Sequence, residues 1–245
     1  MFHRSVCIVC LLVATARCQV TGTTLSADQI AEQLERMNAI REHNQLKIAC
    51  ERTYVLDYQG FLGTRHAEMR VHAEQQGDQK NLTIVDESGS SILRTKVLHK
   101  LLDGEREASE ATAHVGNRLA RANYNFRLEG VQPSQPHPLY VLDVTPRVSS
   151  KFAWKGRVWI DSTAYAVVRA EGQPDKLPSW WTTHSEFAYT NQNIDGIWLP
   201  EQNVSDTRVR LGGHAHLQIQ YGACQTSAAL SAPASPPIAR GETER

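Results

Sequence analysis

The sequence lacks an excess of charge of either sign and lacks the short motifs of common catalytic sites. Its 26 Lys and Arg residues balance 26 Asp and Glu residues, so the formal net charge is zero. This balance argues against a nucleic-acid-binding protein, which usually carries a basic excess. Beyond residue 18 the chain has no Gly-rich phosphate loop, HExxH, GxSxG or CxxC. These absences argue against common nucleotide-binding, zinc-protease and hydrolase classes.

Long apolar runs are also missing, except for a short one near the N-terminus. A basic pair of residues at 3–4 precedes an apolar run at 6–14, and Ala14 and Ala16 supply the small residues that signal peptidase reads. The run is shorter than the roughly 20 residues that a membrane-spanning helix needs. We therefore predict a signal peptide at 1–18, with cleavage after Ala16, and a secreted protein.

Cysteine is scarce, and two of the five cysteines fall within the first ten residues of the predicted signal peptide. Arg17 stands before Cys18, where a lipoprotein signal has a small residue, so we do not expect Cys18 to be lipidated. Cys50 and Cys224 remain near the two ends of the folded region. In an oxidising compartment they either form a disulfide that closes a long loop or stay as two buried thiols, and the sequence leaves both alternatives open.

Two segments have apolar residues at helical spacing. The first, 26–48, begins with Ser26 and Gln29 in the form of a capping box. Its apolar stripe consists of Ile30, Leu34, Met37 and Ile40. The second segment, 90–111, has a strong apolar face and is continued by a short helical stretch at 113–122.

The other segments alternate apolar and polar residues with period two between turn signals. Strands are predicted at 53–58, 66–73, 81–86, 124–129, 139–146, 156–161, 164–172, 184–191, 197–205, 208–213 and 215–221. Short connections imply antiparallel neighbours, and a sheet this wide tends to curl. We predict an α+β domain at 19–225: a strongly curved antiparallel sheet (an unclosed β-barrel of about 11 strands) with helices covering its concave face. The tail at 226–245 is predicted to be disordered.

The apolar strand faces predict a cavity, because concave apolar interiors are common ligand sites. The predicted lining residues are Tyr124, Phe126, Tyr140, Leu142, Val158, Ile160, Val168, Leu211, Leu217, Ile219, Leu98 and Leu101. For each residue the alternative is ordinary core packing.

Two further features, a group of histidines and a pair of tryptophans, suggest other functions. His214 and His216 share one strand face, and His184 or Asp206 could complete a metal site with them. The same face continues with glutamines, which is typical of a solvent-exposed side, so we expect no metal and no cofactor. A secreted metal-dependent enzyme stays as an alternative.

The Trp180-Trp181 pair points to opposite faces, which places one ring either in the core or at a contact surface.

Several segments resemble one protein family. They are NYNFRLEG from residue 123, GRVWIDSTAYAVVRAEGQP from residue 156 and IWLPEQNVSDTRVRLGGHAHLQIQY from residue 197. Over about 26–224 the chain resembles periplasmic outer-membrane lipoprotein-sorting proteins of the LolA/LolB-like fold and their RseB-like relatives. This resemblance implies an unclosed β-barrel with a helical lid and an apolar cavity that shields acyl chains.

The function implied by the resemblance is a monomeric, non-catalytic periplasmic carrier for lipid or lipoprotein acyl chains. A sensory or regulatory module of the same fold, acting on a membrane-protein partner, is the alternative.

Overall fold

The computed structural model describes residues 25–43, 47–61, 63–76, 79–109, 116 and 118–226. The strands are β1 (Lys47–Gly60), β2 (Gly63–Gln76), β3 (Gln79–Gly89), β4 (Tyr124–Gln132), β5 (Leu139–Pro146), β6 (Trp154–Asp161), β7 (Val167–Pro174), β8 (Thr182–Ile194), β9 (Ile197–Val209) and β10 (Gly213–Thr226). The predicted signal peptide and the predicted tail beyond Thr226 lie outside the described residues.

The ten strands of the described residues form one antiparallel sheet in the order β3-β2-β1-β10-β9-β8-β7-β6-β5-β4. The sheet does not close, because β3 and β4 form its two edges. The predicted fold class, an unclosed and strongly curved antiparallel sheet with helices on its concave face, is confirmed. The predicted separate strand at 208–213 is wrong: β9 continues to Val209, and a 3₁₀ turn at Arg210–Gly212 follows. Leu211 and Gly212 adopt positive φ angles of 65° and 77°, which reverse the chain there.

The first helix, α1 (Ala27–His43), begins as the capping box predicts. The Ser26 N–H donates to Gln29 Oε1 at 2.8 Å, and the Gln29 N–H donates to Ser26 Oγ at 3.2 Å. The helix ends before the predicted residue 48, because Lys47 already belongs to β1. Ile30 and Leu34 are fully buried, whereas Ile40 is 49% exposed, so only the first half of the predicted stripe packs against the sheet.

The second helical segment consists of α2 (Ser91–Leu93), a π-helical turn (Arg94–Leu98) and α3 (His99–Ser109). Its apolar face is buried through Leu93, Leu98 and Leu102. The predicted continuation at 113–122 is wrong over its described end, since residues 118–123 form bends and turns. Among the described residues, no helix combines the length and apolar character needed to cross a membrane.

The strand register places both helices on the same face of the sheet. Tyr54 lies opposite Ile219 in β1 and β10, and this face continues strand by strand to Leu142 opposite Val158 in β5 and β6. Helix α1 packs against β4, α2 against β2 and α3 against β3. We call the space between this face and the helices the hollow.

Candidate functional site

Two apolar clusters occupy the hollow, one under each helix. The α3-side cluster contains Tyr54, Leu56, Tyr58, Ala67, Met69, Val71, Ala73, Leu82, Leu93, Leu98, Leu102 and Ile219. The α1-side cluster contains Ile30, Leu34, Tyr124, Leu142, Val144, Val158, Ile160 and Ala170. Each cluster joins strands that lie side by side, so the two clusters lie towards opposite edges of the sheet.

The residues predicted to line a cavity divide between these clusters. Those in or against the α1-side cluster are Tyr124, Phe126, Tyr140, Leu142, Val158 and Ile160. Those in or against the α3-side cluster are Leu98, Leu101, Leu217 and Ile219. The half-buried members are Phe126, Tyr140, Leu101 and Leu217, and the rest are buried. Their role as cavity lining stays a prediction, because close packing of these side chains also accounts for their burial.

Two of the predicted lining residues lie elsewhere. Leu211 is in the turn between β9 and β10 and is 67% exposed, so it does not face the hollow. Val168 is the extra residue of a β-bulge, because Trp159 pairs with Arg169 and Ile160 with Val167. Val167 therefore packs against the α1-side cluster in the place expected for Val168.

Between the two clusters, strand β9 and Ser185 of β8 present polar side chains to the hollow. In the register, Ser185 lies opposite Thr207, and their hydroxyl groups are hydrogen-bonded at 2.9 Å. Asn203 and Ser205 follow on the same face of β9. The covered face is thus apolar at both ends and has a polar middle along β9, beside which β8 contributes the aromatic residues Phe187 and Tyr189. The alternation of apolar residues alone did not predict this polar middle.

A row of aromatic rings runs from the α1-side cluster towards this polar middle. Trp154 lies 6.0 Å from Tyr124 and 5.3 Å from Phe187 between ring centroids, and Phe187 stacks on Tyr189 at 6.4 Å. Burial raises the pKa of the Tyr189 phenol to about 12, although the side chain keeps part of its surface accessible to solvent. Phe187 and Tyr189 are both half-buried, so the covered face keeps accessible aromatic surface here.

Buried charged residues lie at the end of the α3-side cluster, and sequence reasoning missed them. Arg52 Nη1 donates to Glu105 Oε1 at 2.7 Å, Lys80 Nζ donates to the same oxygen, and the Tyr54 hydroxyl donates to Oε2 at 3.2 Å. Arg52 lies two residues before Tyr54 and therefore points to the same face of the strand. This spacing is the sequence signal from which the burial of Arg52 could have been predicted. We call Arg52, Lys80 and Glu105 the charged cluster.

The protonation of the charged cluster reflects competition between burial and pairing. Burial raises the pKa of the Glu105 carboxyl, but Lys80 and Arg52 outweigh it and hold this pKa below its usual value. Burial lowers the pKa of Lys80, opposed by the attraction of Glu105. Burial, assisted by the Glu105 charge, raises the pKa of Tyr54, so its phenol stays neutral.

The structure decides between the two alternatives for Cys50 and Cys224. The two residues lie directly opposite each other in β1 and β10 with Cα atoms 4.3 Å apart, and they form a disulfide. The disulfide joins residues 174 positions apart in the sequence. It fixes the contact between β1 and β10 next to the charged cluster, since Arg52 follows Cys50 by two residues on β1.

The histidines considered as metal ligands lie on the opposite face of the sheet. His214 Nε2 and His216 Nδ1 lie 3.2 Å and 2.9 Å from the same Asp206 oxygen, whereas His184 contacts Glu186 at 3.4 Å. Within the described part of the chain, no group of three or more His, Cys, Asp or Glu side chains is arranged to hold a metal ion. These contacts are those of histidine–carboxylate pairs on a solvated face.

A groove of about 640 Å³ lies on this outer face. Its lining includes the charged residues Asp143, Lys155, Arg157, Glu171, Glu186 and Asp206. A groove lined by charges of both signs does not suit an acyl chain, because each methylene group prefers an apolar surface.

Of the tryptophan pair, Trp180 is 75% exposed and Trp181 is half-buried beside it, with ring centroids 5.0 Å apart.

Comparison with known proteins finds similar folds only at low similarity. No protein-family model matches the chain, and no curated protein matches it. A DUF1329 family protein from Desulfovibrio piger is 13% identical, with 85% of this chain and 96% of that chain covered and a TM-score of 0.42. A LolA superfamily protein from Nitrosomonas europaea is 12% identical, with 82% and 94% covered and a TM-score of 0.34.

A putative outer-membrane lipoprotein-sorting protein domain from Vibrio parahaemolyticus is 13% identical, with 80% of this chain and 92% of that chain covered and a TM-score of 0.42. The structures that match therefore include the lipoprotein-sorting and LolA proteins that the sequence resembles. Similarity at this level does not assign a function to the chain.

Proposed function

We propose that this protein is a non-catalytic periplasmic binding protein that carries acyl chains of lipids or lipoproteins in the hollow. The observation that carries the proposal is the half-buried apolar and aromatic surface of the hollow. The row of aromatic rings reaches Tyr189, which is half-buried on the covered face. Half-buried Tyr140 packs against the α1-side cluster and half-buried Leu217 against the α3-side cluster, so partly accessible apolar surface lies on both sides of the polar middle.

The energetics of acyl-chain binding need no catalytic group. Each buried methylene contributes about 0.8 kcal/mol, so an apolar path along part of the hollow stabilises a long chain considerably. The sheet is open between β3 and β4, which leaves the hollow free to widen without breaking a closed ring of strand hydrogen bonds. The Cys50–Cys224 disulfide supports an oxidising compartment such as the periplasm.

The proposal is tested first on protein purified from the periplasm. Native mass spectrometry should detect a co-purified lipid, and a fluorescent fatty acid should bind and be displaced by unlabelled lipid. Absence of both signals would overturn the proposal.

A matched pair of variants locates the binding site. Leu101→Asn puts a polar group on the half-buried side of the α3-side cluster and should weaken probe binding several-fold. Leu177→Asn makes the same change at an exposed position between β7 and β8 and should leave binding unchanged. Equal effects of the two variants would exclude the hollow as the binding site.

A further inference from the structure

The charged cluster holds more positive than negative charge. Two cations, Arg52 and Lys80, share the single carboxylate of Glu105, and their side chains are only 8% and 14% exposed. The two neighbouring phenols cannot balance the excess, since burial raises the pKa of both Tyr54 and Tyr221 and keeps them neutral. A buried charge without a partner is strongly destabilising, so this site favours binding of one more anion.

The hydrogen-bond donors of the cluster are also in excess of their acceptors. Arg52 donates through Nη1 to Glu105, and its guanidinium lies 4.9 Å from the centroid of the Tyr221 ring. Its Nε–H is buried and has no partner among the described residues. A buried donor without an acceptor is destabilising, and more so when the group is charged. Carboxylate and phosphate oxygens are the acceptors that match an arginine best.

The position of the cluster indicates what the anion is attached to. Arg52 lies on the face of β1 that lines the hollow, opposite Tyr221 of β10 and Val71 of β2. The rings of Tyr54 and Tyr221 pack in or against the α3-side cluster. An anion held by Arg52 and Lys80 therefore lies directly beside apolar side chains, as the head of an amphiphile does.

We propose that Arg52 and Lys80 bind the anionic headgroup, a carboxylate or a phosphate, of an amphiphile whose acyl chain lies along the α3-side cluster. This inference rests on the proposed function and narrows its ligand class. The hollow then selects fatty acids and acidic lipids over uncharged lipids with the same chain. Glu105 holds the two cations in place and limits the site to a single added negative charge.

The test compares two ligands that differ only in the headgroup. Dissociation constants of the oxidised protein for hexadecanoate and hexadecanol are measured at neutral pH, below the concentrations at which either aggregates. Hexadecanoate should bind at least tenfold more tightly. Equal affinity would overturn the headgroup site and leave the proposed function intact, whereas no binding of either ligand would overturn both.

Variants then assign the preference to the charged cluster. Lys80→Met leaves Arg52 and Glu105 as a neutral pair, so the fold is retained and the tenfold preference for the acid should fall to about onefold. Lys47→Met removes the same charge from an exposed lysine on the same strand as Arg52, paired with Glu74, and should keep the preference. A preference that survives Lys80→Met, or that is lost equally in both variants, would contradict the proposal.

A third ligand distinguishes the two sources of the anion. Hexadecyl phosphate presents a phosphate on the same chain, so its affinity relative to hexadecanoate decides between acidic lipids and free fatty acids. Either order of affinity supports the headgroup site provided that both ligands bind more tightly than hexadecanol. Binding of both anions no tighter than the alcohol would overturn it.

Discussion

The two ends of the hollow are held together by different forces. Under α3, an apolar cluster is combined with a buried charged cluster and lies next to a disulfide. Under α1, the cluster is aliphatic and aromatic, and the ion pairs that tie the helix to its neighbours, such as Arg121 with Glu35, are 39% and 28% exposed. The comparison indicates that α3 is fixed by buried charge interactions that are costly to break, whereas α1 is held by the apolar packing of its first half and by the hydrogen bonds of Arg41 to the Ala164 and Tyr165 carbonyls.

The strongest expected contrast concerns one carboxylate from each helix. Glu105→Ala leaves two buried cations unpaired and should lower the free energy of unfolding by about 4 kcal/mol. Glu35→Ala removes a partly exposed ion pair with Arg121 and should cost about 1 kcal/mol or less. Urea denaturation of both variants measures the difference. Equal losses would show that burial does not separate the two ends of the hollow.

The disulfide should give the next largest effect. Replacing Cys50 and Cys224 together by Ser should lower the free energy of unfolding by about 3 kcal/mol, because the unfolded chain gains the freedom of a long loop. Reduction of the disulfide in the wild-type protein should lower the free energy of unfolding by the same amount. A variant as stable as the oxidised protein would mean that the pairing of β1 with β10 needs no covalent bond.

A smaller effect is expected at the start of α1. Ser26→Ala removes the hydroxyl that accepts from the Gln29 N–H and should cost about 1 kcal/mol. Since the capping box holds only the first turn of α1, hydrogen exchange of the α1 amides should accelerate while exchange in α3 stays unchanged. Acceleration in both helices would contradict the separation of the two ends.

The sequence predicts the parts of this structure that depend on local patterns. Alternation places Ala67 and Met69 on the buried face, and the Ser26–Gln29 capping box gives the start of α1. The position of Leu211 could not be predicted in this way, because its turn requires a positive φ at a residue that rarely adopts one. Val168 was misplaced by a β-bulge, which shifts side-chain parity without a sequence signal.

The candidate site shows the same limit more clearly. The spacing of apolar residues identifies surfaces that are buried in the fold, but it does not identify charged residues that are buried together as pairs. Arg52 and Glu105 are separated by 53 residues and meet only because α3 packs over β1 and its neighbours. Their partnership is a property of the tertiary fold, so it could not be derived from either segment alone.

The smallest effect at neutral pH, and one that appears only in alkali, is expected from Tyr189. Its pKa is raised from 10.0 to about 12, chiefly by burial, so the folded protein holds this proton more tightly than the unfolded chain. The stability that results is present below about pH 10 and is lost as the pH rises from about 10 to 12. Tyr189→Phe should leave stability at neutral pH nearly unchanged and flatten its decline in alkali. Urea denaturation between neutral and alkaline pH measures this slope, and an unchanged slope in the variant would mean that burial does not raise the pKa of Tyr189.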